Sequence, residues 1–156
     1  MVTASAEGEH ATVLTPKLQV PLLPVSAVQR SRLLTAMAAD EANGVRVTVV
    51  SAPAGSGKTL LLAERSALLQ AAGHAVAWVS LAEEDNDPHV LWSSILAALA
   101  GAVGTMDAST GSALGALSPP VRGTESSFLT AFLDVMHSCQ VPVWLVLDDA
   151  HELVGR

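Results

Sequence analysis

The residue pattern predicts an α/β fold, a parallel sheet flanked by helices, and three observations predict it. Residues 45–51, 75–80 and 141–147 are short Val-rich apolar runs of strand length. Helical patterns separate these runs, giving the order strand–helix–strand–helix–helix–strand. Such spacing demands crossovers and therefore parallel pairing. The middle run, Ala75-Val-Ala-Trp-Val-Ser80, is apolar on both faces, as a strand between two helical layers must be. With only three such runs, the sheet is expected to be incomplete.

The elements follow in order. Residues 1–14 are small and polar, and Pro16, Pro21 and Pro24 favour an extended backbone, so 1–26 is expected as a mobile arm ahead of a partial domain at 27–156. Ser26 is placed to cap a helix running to about Asp40, with Leu33, Leu34 and Met37 on one face. Asn43-Gly44 turns into the first run. A helix from Lys58 to about Ala72 offers Leu61, Leu62, Leu68 and Leu69 for burial and stops at Gly73. The acidic stretch Glu83-Glu-Asp-Asn-Asp87 reads as a solvated turn, with Asp87 as N-cap and Pro88 as first helical residue. Leu91, Ile95, Ala98 and Leu99 continue at helical spacing. Residues 101–127, rich in Gly, Ser, Thr, Ala and Pro, are expected as a long loop or a poorly ordered insertion. A last helix over 125–138 carries Phe128, Leu129, Phe132, Leu133 and Met136 on one side.

The turn after the first run, Ala52-Pro-Ala-Gly-Ser-Gly-Lys-Thr59, is a phosphate-binding loop set between a strand and a helix. Ala52 replaces the usual leading glycine, at a position that asks only for a small residue. The chemistry needs these residue types. Backbone N–H groups of Ala54, Gly55, Ser56, Gly57, Lys58, Thr59 and Leu60 curl round a polyphosphate at a helix N-terminus. Lys58 brings a mobile cation to the outer phosphates, where it also serves catalysis, and Thr59 brings a hydroxyl to Mg²⁺. The opposing carboxylate belongs at the tip of a buried strand. Asp148, directly after 141–147, is the candidate magnesium ligand. Asp149 stands where a water-positioning base belongs, one methylene shorter than the glutamate commonly found there. These residues predict a P-loop NTPase-like domain with a site for nucleotide phosphates and Mg²⁺.

Composition narrows the function classes. Eight Lys and Arg stand against 15 Asp and Glu, a net charge of −7, so no basic stripe is available for direct nucleic-acid binding. One cysteine, Cys139, excludes an internal disulfide and reads as a core residue at a helix end. No run approaches the ~18 apolar residues of a membrane span. With no secretory signal either, a soluble cytoplasmic protein is expected. Trp78 and Trp92 read as core or interface fillers, His151 as a turn residue, and Arg30 and Arg32 as surface groups ahead of the first run.

Several segments together resemble a family. They are Thr15-Pro-Lys-Leu18 with Val28-Gln-Arg-Ser-Arg-Leu33, the loop 49–59, Ala77-Trp-Val-Ser-Leu81 with Glu84-Asp-Asn-Asp-Pro88, and Leu145-Val-Leu-Asp-Asp-Ala-His151. The chain resembles the N-terminal part of the ATPase domain of large LuxR-family, maltose-regulator-like transcriptional activators, which are signal-transduction ATPases of the STAND class. The resemblance implies that Val28 and Arg30 lie on the adenine side. It implies that the other regulator domains, or a homologous chain, are partners. It also implies a further strand between the phosphate-loop strand and the Asp148 strand, which this sequence does not contain.

Three functions fit these residues. The first is an ATP–Mg²⁺-binding regulatory domain with weak or no turnover alone. The second is a stand-alone small P-loop NTPase or kinase, against which stands the single arginine, Arg122, between Arg65 and Arg156. The third is a degenerate fragment that binds nothing.

Overall fold

A computed structural model of the chain describes residues 16–25, 28–121 and 123–153. Its elements are α1 (Ser31–Ala42), α2 (Lys58–Ala71), β1 (Ala75–Ser80), α3 (Pro88–Gly104), α4 (Ala108–Ala116), α5 (Glu125–Ser138) and β2 (Val143–Asp148). Single 3-10 turns lie at Pro16–Leu18, Glu83–Asn86 and Ala150–Glu152.

β1 and β2 pair in parallel, in register from Ala75↔Val143 to Ser80↔Asp148. The third apolar run joins the ladder only from Val143. Pro142 has no N–H to give, yet its carbonyl still accepts from Ala75 N–H at 2.9 Å. Alternation sorts the faces. Ala75, Ala77 and Val79 of β1 pack with Ile95, Leu96, Leu99 and Val103 of α3, Leu114 of α4 and Phe128 of α5. Val79, Val103 and Leu114 expose no surface at all, which places the centre of the core between β1 and the α3–α4 pair. Trp92 meets Phe128 edge-on at 4.8 Å and Phe132 at 5.5 Å, so it is a core filler as expected. α2 covers the opposite face, where the Arg65 guanidinium lies 5.8 Å from the Trp144 ring centroid. Arg65 also pairs with Glu41 of α1.

Several expectations change. Residues 101–127 are not a long loop: α3 runs through Gly104, and α4 fills 108–116. Asp107 caps α4 by accepting from Thr110 N–H at 3.0 Å. Gly111 explains why this small-residue stretch packs. A Cβ there would stand 2.4 Å from the Gly104 Cα, so the two helices cross at a distance only glycine allows.

The arm is also different from 16 onward. Leu18 packs on the core, and Lys17 reaches Asp85 with an N···O distance of 2.7 Å. Residues 1–15 and the proposed cap Ser26 lie outside the described residues; α1 begins at Ser31 with Arg30 before it. The acidic turn is likewise not wholly solvated, since the Asp85 side chain is fully buried.

Residues 45–51 form no strand, so the sheet has two strands among the described residues rather than three. A strand exists through its ladder, and this run has no partner beside it among the described residues; Val47 and Val49 remain 77% and 82% exposed. A cleft of about 1080 Å³ separates it from β2.

Candidate functional site

The cleft joins the two halves expected of the site. Arg46 to Ala52, Ala54, Gly55, Gly57, Lys58 and Thr59 line one wall; Val143 to His151 line the other. Leu62, Arg65, Ser66 and Leu69 of α2 also line it. Asp148 and Asp149 thus open onto the same space as Lys58 and Thr59.

The loop's shape follows from its glycines. Gly57 directly precedes α2 with φ 80°, a left-handed conformation that side-chain-bearing residues adopt at a cost. α2 therefore begins at Lys58 with its free N–H groups directed at the turn. Lys58 Nζ donates to the carbonyls of Ala52 at 2.9 Å and Pro53 at 3.2 Å. Arg30 reaches the loop too, donating to the Ser56 carbonyl. Ser56 Oγ is buried and is the one such side-chain atom without a hydrogen-bond partner among the described residues.

The opposite wall is set by the sheet. β2 ends level with β1, and Leu81 N–H donates to the Asp148 carbonyl at 2.9 Å. Asp148 is 3% exposed, Asp149 is exposed, and the backbone of Asp149 turns sharply at φ 55°. His151 is 69% exposed at its side chain and lies 3.8 Å from Asp149 and 3.3 Å from Glu152, a turn residue as expected.

These residues fit ATP and magnesium. Mg²⁺ held with phosphates asks for one or two protein oxygens, and Thr59 and Asp148 supply a hydroxyl and a carboxylate on one cleft. The Ser56 side chain does not line the cleft, so its unpartnered hydroxyl bears on the loop's packing rather than on the fit to phosphate. No group of three or more His, Cys, Asp or Glu that could hold a metal ion occurs among the described residues. No helix among them is long and apolar enough to cross a membrane.

Some candidates lie apart. Val28 is 84% exposed and does not line the cleft, nor does Leu60, at 38%. Arg32 is exposed in α1. Two charged cleft residues were not expected, Arg46 and Arg65. Arg65 has a readable signal, since it falls one helical turn before Leu69 on the buried side of α2; Arg46 has none.

A glycine turn opening a helix, with an acidic pair at the tip of a parallel strand across a cleft, defines the P-loop class of α/β folds. The family described as "AAA ATPase domain" matches residues 23–154, and the chain belongs to it. It is similar to the HTH-type transcriptional regulator MalT of Serratia proteamaculans (strain 568), 36% identical over 141 residues. It is also similar to the protein of that name from Cronobacter sakazakii, 32% identical over 139 residues, and from Klebsiella pneumoniae, 30% identical over 139. Each match covers 89% of this chain and 14% of the relative, so the chain spans a small part of the length of the curated relatives it matches.

Proposed function

We propose that this chain is the phosphate-binding part of a regulatory ATPase. It binds ATP with Mg²⁺, turns it over slowly at most, and belongs to a cytoplasmic LuxR-type regulator. The observation that carries this reading is the shared cleft of Lys58, Thr59 and Asp148. The N–H groups of Ala54 to Leu60 hold the phosphates. Lys58 leaves two neutral carbonyls for an anion, and so adds the attraction between two opposite charges to bonds that already have an ionised donor. Thr59 and Asp148 hold Mg²⁺, which when bound neutralises phosphate charge. Asp149 orients the attacking water. Arg30, on the loop's outer side, and Val28 before it flank the base.

The relatives' names support a regulatory rather than a metabolic setting. The remaining domains of the regulator, or a homologous chain, are the partners. In this reading they supply the strand that fills the space between 45–51 and β2. ATP then shifts a larger protein between two states by binding one of them better.

Titration calorimetry tests this. The chain binds ATP–Mg²⁺, and Lys58→Ala weakens it at least about tenfold, a loss of ~1.4 kcal/mol. Absence of binding by the unsubstituted chain overturns the reading in favour of an inert fragment. Rapid phosphate release to a small acceptor overturns it in favour of a kinase.

A further inference from the structure

The acidic turn Glu83–Asn86 is a clasp between two segments distant in sequence. On one side the buried Asp85 carboxylate accepts from Lys17 Nζ at 2.8 Å, from Ala82 N–H at 2.8 Å and from the Ser94 hydroxyl at 3.4 Å. On the other side Asn86 Nδ2 donates at 2.9 Å to the carbonyl of Glu83 and at 2.9 Å to that of Glu152. Glu152 closes the turn that begins at Asp149, since its own N–H donates to the Asp149 carbonyl at 2.9 Å. Asp149 sits in the left-handed region, a conformation that asks for support from its surroundings.

We propose that Asn86 is a positioning residue for Asp149, and that the Lys17–Asp85 pair couples it to the segment ahead of α1. Docking of that segment then regulates the carboxylate turn of the site. The catalytic consequence rests on the function proposed above; the mechanical link does not. The neighbouring acids fix the direction of the effect. Asp85 is held by Lys17, whose side chain is only 18% exposed, so the pair is shielded from solvent. Breaking it loosens Asn86, the next residue, and with it the bond to the Glu152 carbonyl. The Glu84 contact to Lys17, at 3.5 Å on an exposed side chain, adds little by comparison.

The test uses the full chain without nucleotide. Asn86→Ala removes an exposed amide and leaves the core intact. Amide hydrogen exchange at Glu152 and Leu153 is expected to rise about tenfold, with Val76 to Val79 unchanged. Lys17→Met alone strands a buried carboxylate, so it is combined with Asp85→Asn, and the same two amides are expected to exchange at least about threefold faster. Unchanged exchange in Asn86→Ala overturns its positioning role, and unchanged exchange in the double variant overturns the link to Lys17. Where the chain hydrolyses ATP, Asn86→Ala lowers kcat about tenfold with KM within about twofold. A chain that binds no ATP removes the proposed function, while the exchange experiment still decides this one.

Discussion

Arg30 occupies the space that a side chain on Gly57 would need: a Cβ there would stand 2.8 Å from the guanidinium Nη2. The arginine lies on the loop because the glycine is bare. Gly57→Ala therefore faces the left-handed φ of 80° as its main penalty, since the guanidinium ends a flexible side chain and can swing aside. The strain is worth about 1–2 kcal/mol. ATP affinity measured by calorimetry is expected to fall at least about tenfold. Adding Arg30→Ala removes the clash but not the backbone strain, so binding stays weak.

Asp148→Asn keeps the shape of the strand tip and removes the charge. Mg²⁺ should then add little to ATP affinity, whereas in the unsubstituted chain chelation by EDTA weakens ATP at least about tenfold. Titrations with and without Mg²⁺ separate the two. Equal Mg²⁺ dependence in both chains would show that another group holds the ion.

Gly111→Ala sets helix propensity against packing. Alanine is favoured over glycine in a helix by about 1 kcal/mol. Against this, the added Cβ meets Gly104 Cα at 2.4 Å and Gly104 N at 2.7 Å, backbone atoms that cannot swing aside. Overpacking of that kind costs about 1–3 kcal/mol, so a net loss is expected in the urea midpoint. Gly101→Ala is the control. Nothing stands within 4 Å of its Cβ, so it should gain about 0.5–1 kcal/mol.

Asp107 gives an acid-sensitive helix start. The Thr110 hydroxyl foremost, then the Thr110 N–H and the Ser109 hydroxyl, hold its carboxyl down to about 2 from 3.8. An acid depressed in the folded state stabilises above its unfolded value, and that stability is lost as pH falls through the folded one. The α4 cap is therefore expected to weaken between about pH 4 and pH 2. Asp107→Ala should lower the melting temperature at pH 6 and flatten its acid dependence over that window, as thermal scans at several pH values will show.

What was legible in the sequence depended on how local its cause was. β1 and α5 match their expected bounds because a short unbroken apolar run and a helical periodicity are written within the segments themselves. The glycine turn before α2 and the position of Asp148 at the end of β2 were legible for the same reason, each being written in adjacent residues. α4 was not, since Ala, Ser and Gly make no apolar stripe and its cohesion comes from contact with Gly104. Asp85 looked solvated because its partner, Lys17, lies far back in the chain. Residues 45–51 have the composition of a strand, but a ladder needs a neighbour, which no local pattern can reveal.

That missing neighbour has a practical consequence. Leu145 and Leu147 on β2 are about two-fifths exposed, at 40% and 39%, beside the backbone margin that faces the cleft. An uncovered sheet margin with greasy side chains is a template on which like molecules stack. Handled in isolation, this polypeptide should precipitate as its concentration rises, and its solubility should improve most when an extended peptide is offered to that margin.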